Sequence, residues 1–136
     1  MIYLDTAALV KLVRVAAESP TLIAWLNVRA SEPLVSSALV EVELPRALRR
    51  SQPETLGAVA LALSRLNRVE INAVVRATAG AYMDPMLRSL DAIHLATAEF
   101  LIGSEVPVSA FVTYDKRLAE AAGKVGLDVV APAPTP

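Results

Sequence analysis

Short β-like runs alternate with longer helical patterns along this chain, and that alternation limits the fold more than any other feature. Ile2–Leu4 reads as a first strand, and Leu34–Ser36, led in by Pro33, as a second. Val69–Ile71 reads as a third. Val106–Thr113 is the strongest, because it is rich in valine and bounded by Pro107 and Tyr114-Asp115. Val129-Val130 closes the set. Between them the spacing predicts helices over Thr6–Val13, Pro20–Arg29, Leu39–Arg50, Pro53–Leu66, Ala73–Tyr82, Leu90–Ile102 and Lys116–Val125. In Leu39–Arg50, for example, Val40, Leu44, Ala47 and Leu48 share one face. Strands joined through helices pair in parallel and carry helices on both faces. The expected fold is therefore a three-layer α/β/α arrangement around a parallel sheet of about five short strands.

The 136 residues fit one domain, expected over 1–130, and the proline-rich "APAPTP" at 131–136 is expected to be a disordered tail. Apolar residues make up 54%, ample for a core. A net charge of −1 gives no global attraction to nucleic acid, so any such site must come from local clusters of the ten arginines and three lysines. The absence of cysteine excludes disulfides and thiolate metal sites and agrees with a cytoplasmic protein. Mean hydropathy is high at +0.47. Stretches free of charged residues nevertheless stop at about ten residues, short of the ~18 that a membrane span needs. The apolar start has no basic leader and is interrupted by Asp5, which argues against a signal peptide.

Open parallel sheets bind ligands beyond the carboxyl ends of their strands. Asp5 follows the first strand, and Asp115 follows Val106–Thr113. Glu43 lies in the first turns of the helix after the second strand, and Asp91 begins the helix that leads into Val106–Thr113. All four acids therefore map to one sheet edge. Each alone has a plainer reading: aspartate is a favoured helix N-cap, and a carboxylate suits the positive end of a helix dipole. Glu43 borders the apolar face of its helix, whereas Glu41 points elsewhere. Together the four would repel one another and be pushed toward protonation. A hard divalent cation such as Mg2+ or Mn2+ relieves that crowding, and can activate water and neutralise a phosphodiester. Asp5 reads as a ligand of such an ion.

The stretches "YLDTAALVKL" (3–12), "VSSALVEVELPRAL" (35–48), "LRSLDAIHLATA" (87–98) and "FVTYDKRLAEAAGKVGL" (111–127) resemble the PIN-domain nucleases, most closely the VapC-type toxins of toxin–antitoxin pairs. The resemblance makes Asp5, Glu43, Asp91 and Asp115 the motif acids, with Asp5, Asp91 and Asp115 as metal ligands. It implies an endoribonuclease dependent on Mg2+ or Mn2+, a homodimer, and a cognate antitoxin of the VapB type. It also implies a structured RNA target of the tRNA or ribosomal RNA class. One departure is Pro45, inside the helix of Glu43: a mid-helix proline removes a backbone bond and crowds the carbonyl of Glu41. A kink at Glu43, or a later helix start, is the expectation, and Glu41 stays open as the alternative to Glu43.

His94, the only histidine, lies three residues after Asp91 and reads as a satisfied, half-buried side chain, with hydrogen-bond support of an acid as the alternative. Ser89, Asp91 and His94 do not converge at helical spacing, which excludes a catalytic triad. Arg46, Arg49 and Arg50 form a basic turn beyond Glu43. Of the basic residues near the acids, Arg46, Arg88, Lys116 and Arg117 are the candidates for holding RNA phosphates, against ordinary solvated helix charges. Thr6 and Thr113 read as hydrogen-bonding a metal-held water or as caps. Trp25 reads as core or interface. The helices Thr6–Val13 and Pro20–Arg29 carry Leu9, Leu12, Val13, Leu22, Trp25 and Leu26, an apolar surplus for which the resemblance implies a homodimer and an antitoxin groove lined partly by these helices. Two other functions compete: a receiver-like phosphoacceptor domain, weakened by Asn72 where an acid is needed after the third strand, and a catalytically silent PIN-like binding module.

Overall fold

The computed structural model describes residues 1–136. The elements run β1 (Ile2–Leu4), α1 (Thr6–Val13), α2 (Ser19–Val28), β2 (Leu34–Ser37), α3 (Val40–Ser51), a 3-10 segment (Pro53–Ala58) and α4 (Val59–Ser64). They continue as β3 (Leu66–Val69), α5 (Ala73–Ala81), α6 (Ser89–Gly103), β4 (Ala110–Val112), α7 (Lys116–Lys124) and β5 (Val129–Val130). All strand pairs are parallel, in the order β3-β2-β1-β4-β5.

The alternation of side chains along β1 builds both layers. Ile2 and Leu4 enter a core with Leu9 of α1, Leu22 of α2, and Leu44 and Leu48 of α3. Tyr3 points the other way, among Leu95 and Ala98 of α6 and Leu118 and Ala121 of α7. Central β4 repeats the pattern, with Ala110 and Val112 on the first face and Phe111 on the second. Each fully buried leucine contributes about 1.5–3 kcal/mol over exposure. The three-layer expectation therefore holds.

The strand order reverses direction between β1 and β4, because β2 and β3 extend one side of β1 while β4 and β5 extend the other. Such a switch point opens a crevice at the carboxyl ends of the two strands. Asp5 and Thr113 follow β1 and β4 there, in a register that sets Leu4 beside Val112.

Several boundaries differ from the sequence expectation. The helix expected over Pro53–Leu66 is a 3-10 segment followed by the short α4, and the third strand is Leu66–Val69 rather than Val69–Ile71. Pairing with β2, Leu34 to Leu66 and Ser37 to Val69, overrides the helical pattern there. The strand expected over Val106–Thr113 is regular only at Ala110–Val112. Pro107 has no N–H to give a ladder, and the Val106 N–H turns back to the Leu101 carbonyl. Pro45 does not break α3, and Glu43 lies inside that helix with its N–H on the Leu39 carbonyl. Glu41 is exposed, so water can serve the carbonyl that loses its partner. The terminal segment is not wholly loose: Pro132 is buried, and its carbonyl accepts a 2.7 Å hydrogen bond from the Tyr114 hydroxyl.

Candidate active site

Asp5 ends β1 and caps α1. Its Oδ1 accepts the Ala8 N–H at 2.9 Å, and its Oδ2 accepts the Thr113 hydroxyl at 2.5 Å. The residue is only 4% exposed. Burial pushes its carboxyl above the usual range, and the two hydrogen bonds hold part of that rise back. Asp115 caps α7 in the same way, with Oδ1 on the Leu118 N–H at 2.9 Å. The capping reading is thus correct for both, yet each cap occupies one oxygen of the carboxylate.

Asp91 is different. Arg88 holds the N-cap position of α6, and Asp91 stands within the first turn, making no cap hydrogen bond of its own. Burial, then the charge of Asp115, pushes its carboxyl upward. Arg88 lies across the pair, 3.4 Å from Asp91 Oδ2 and 3.3 Å from Asp115 Oδ2. With Arg88 largely exposed, each of these ion pairs is weak.

Glu43 enters from α3. Its Oε1 accepts the Thr6 hydroxyl at 2.6 Å and lies 3.0 Å from His94 Nε2. Half-burial pulls its carboxyl upward, but the hydrogen bonds from His94 and Thr6 outweigh that and hold it below the usual range. Glu41 turns away and pairs with Arg68 at 3.4 Å, so Glu43 is the acid of this helix that reaches the crevice.

The four acids, with Thr6 and His94, line one open cavity of about 610 Å³. No three of these side chains stand close enough to form a closed cation cage. The donor chemistry nevertheless fits a hard divalent ion: every acid offers oxygen, Asp91 and Asp115 repel each other, and the one cation shared between them is the loosely held Arg88. Asp5 retains lone pairs on both oxygens beside its hydrogen bonds.

The basic residues separate by helix phase. Arg88 lines the cavity, but Arg46, Lys116 and Arg117 are exposed outside it. On α3 the lining stripe is Glu43, Ala47 and Arg50, which leaves Arg46 one face away. Lys11 and Arg14, unmarked in the sequence reading, line it from α1, and their spacing from Ala7 is the stripe that could have found them. Lys11 is held by Glu18 at 2.8 Å and stands over the Tyr114 ring at 4.8 Å. Thr6 and Thr113 cap nothing; both donate to acids of the site. His94 is 2% exposed, fully rather than half buried, and serves Glu43. Trp25 packs against the core beneath Arg29, whose guanidinium stands 4.0 Å over its ring. Asn72 caps α5 through the Val75 N–H.

The profile of the PIN domain matches residues 2–124. The chain belongs to the PIN-domain family. Within that family it is similar to Ribonuclease VapC35 of Mycobacterium tuberculosis, 58% identical over 132 residues that cover 97% of each chain. It is also 40% identical over 131 residues to Ribonuclease VapC46 of the same organism, covering 96% of this chain and 97% of the relative. It is thus a PIN-domain chain of the VapC ribonuclease type, which removes the receiver-like alternative. Among solved structures, Mycobacterium tuberculosis VapC20, a sarcin–ricin loop cleaving toxin, superposes with a TM-score of 0.69 at 18% identity, covering 97% of this chain and 100% of that one. VapBC2 from Rickettsia felis, bound to a DNA fragment from its promoter, gives 0.69 at 17% identity, covering 97% and 99%. At those identities the likeness concerns the PIN fold. No helix of the chain is long and apolar enough to cross a membrane.

Proposed function

We propose that this PIN-domain chain is the toxin of a toxin–antitoxin pair, an endoribonuclease that hydrolyses RNA phosphodiester bonds with Mg2+ or Mn2+ in the cytoplasm. The observation that carries the reading is the meeting of Asp5, Glu43, Asp91 and Asp115 in one cavity at the β1/β4 switch point. A bound divalent ion would supply Lewis-acid polarisation of the phosphate and a more acidic water. Asp5, Asp91 and Asp115 are the residues that would hold it. Glu43, kept ionised, is an acceptor for a water proton beside them. Lys11, Arg14, Arg50 and Arg88 surround these acids and would hold flanking phosphates.

The naming of relatives as ribonucleases supports an RNA substrate, and the sarcin–ricin loop cleaved by VapC20 supports a structured one, here proposed to be of the tRNA or ribosomal RNA class. The VapBC2 assembly supports an antitoxin of the VapB type. A second, mostly apolar groove of about 430 Å³ between α1, α2 and α4 suits an apolar segment of that partner, with Leu12, Ile23, Leu26 and Leu61 along it. Homodimerisation would cover exposed apolar side chains such as Met83 and Leu90, which are 94% and 48% exposed.

The experiment is RNA cleavage by purified protein with Mg2+, with Mn2+, and in excess EDTA. Cleavage with either ion and none in EDTA is expected; undiminished cleavage in EDTA excludes the metal mechanism.

A further inference from the structure

Glu43 is tied to a buried chain of hydrogen bonds that begins on the opposite face of the sheet. Tyr3, with no exposure, stacks on Phe111 with centroids 5.0 Å apart and planes 8° from parallel. It meets the His94 ring edge-on at 5.8 Å. Its hydroxyl lies 2.7 Å from His94 Nδ1. The other ring nitrogen, Nε2, lies 3.0 Å from Glu43 Oε1 and 3.1 Å from Thr6 Oγ1. Thr6 donates to that same Oε1.

For the neutral ring, proton accounting favours one arrangement. The Tyr3 hydroxyl makes its hydrogen bond to Nδ1. The phenol carries a hydrogen and gives it to Nδ1. Nδ1 is then an acceptor, and the ring proton sits on Nε2, aimed at Glu43 and Thr6. The opposite tautomer would set the Nε2 lone pair 3.0 Å from a carboxylate oxygen. Packing alone does not call for these groups. A phenylalanine would stack on Phe111 equally well, and a buried hydroxyl costs stability unless bonded.

We propose that Tyr3 and His94 are positioning residues for RNA hydrolysis: the Tyr3 hydroxyl locks His94 as the Nε2–H tautomer, and that N–H, with the Thr6 hydroxyl, pins Glu43 Oε1 so that Oε2 is the oxygen offered to the cavity. The inference rests on Glu43 serving the proposed reaction. Without the lock the imidazole can exchange tautomers, and a carboxylate displaced by a fraction of an ångström loses its aim on the reacting water.

The test uses metal-free protein for spectroscopy and Mg2+-loaded protein on a fluorogenic RNA oligonucleotide of mixed sequence. The chain has one histidine, so imidazole 15N spectra report this ring alone. Wild type is expected to show a protonated Nε2 and an unprotonated Nδ1. Tyr3→Phe is expected to gain an Nδ1–H population and to lose about tenfold in kcat at nearly unchanged KM. His94→Gln, which keeps an amide donor, should retain more turnover than His94→Leu, which only fills space. A wild-type ring protonated on Nδ1 overturns the proposal, whether or not any variant folds. So does full turnover in a folded Tyr3→Phe, or equal turnover in the two His94 variants. Glu43→Gln separates the two levels. Full activity there removes Glu43 from the reaction and the positioning role with it, whereas lost activity there beside full activity in Tyr3→Phe removes the lock alone.

Discussion

The Thr113 hydroxyl donates to Asp5 Oδ2 at 2.5 Å and so joins the ends of β4 and β1 at the point where the sheet reverses its order. Thr113 also accepts the Asp115 N–H at 3.1 Å, so one hydroxyl fixes two of the acids relative to each other. The sequence separation of 108 residues between Thr113 and Asp5 is closed by a single strand pairing.

Thr113→Val keeps the shape of this side chain and removes the donor. Asp5 is then buried with one partner fewer, and the expected loss is about 1–3 kcal/mol in a chemical melt. The deficit should shrink in acid, because Thr113 favours the charged form of Asp5 and that form disappears as Asp5 takes up a proton. Thr113→Ser should melt close to wild type. An unchanged melt for Thr113→Val at neutral pH would show that the contact contributes nothing to the fold.

Asp91→Asn sets function against stability. Burial and Asp115 raise the Asp91 carboxyl above its unfolded value, so the folded chain binds this proton more readily than the unfolded chain. The stability due to Asp91 is therefore full below the ordinary carboxylate range and is lost as pH rises through the raised value. Asparagine removes that loss. The metal-free variant should match wild type in acid and equal or exceed it near neutral pH. Mg2+ should stabilise it less than wild type, and cleavage should fall by orders of magnitude. Paired melts across pH, with and without Mg2+, together with a cleavage assay, check all three.

The sequence carried the architecture where side-chain alternation was strict. Ile2, Tyr3 and Leu4 announce a strand buried on both faces, and the acids after β1 and β4 stand where open sheets bind ligands. β3 was misplaced because it is an edge strand: Asn67 and Arg68 are exposed, so only Leu66 and Val69 carry apolar character, and Leu66 also completes the helical period of α4. The acids of the site were legible from position alone; the cations were not, since helix packing decides which of Arg46 and Arg50 faces the cavity. Helical spacing sets His94 beside Asp91, whereas its partner is Glu43, 51 residues away on another helix. A contact of that range has no periodicity to reveal it.

The apolar groove gives a prediction that leaves catalysis untouched. Leu61 is 60% exposed and Ile23 43% exposed, so an arginine at either site costs the fold little. Either charge would lie unpaired against an apolar antitoxin segment. Ile23→Arg and Leu61→Arg should each weaken binding of the cognate antitoxin by about thirtyfold or more, a loss of the size seen when a central interface residue is removed. Calorimetric titration measures this, and RNA cleavage by the free protein should match wild type. Unaltered antitoxin affinity in both variants would move the partner to another surface.

The last prediction divides the basic residues by where they stand. Arg14 and Arg50 line the acidic cavity, whereas Lys116 and Arg117 lie outside it despite adjoining Asp115 in sequence. If phosphates are held at the cavity, Arg14→Gln and Arg50→Gln should each weaken RNA binding and reduce the dependence of log affinity on log salt by about 0.7–0.9. Lys116→Gln and Arg117→Gln should leave that slope unchanged. Arg88 behaves differently, because it faces Asp91 and Asp115 at 3.4 and 3.3 Å and so competes with any cation for their charge. Arg88→Gln should lower the salt slope and also raise the affinity for Mn2+, which electron paramagnetic resonance reads without RNA present. Equal slopes for all five variants would place the RNA elsewhere on the molecule, and unaltered Mn2+ affinity in Arg88→Gln would reduce its two contacts to surface pairs without consequence for the site.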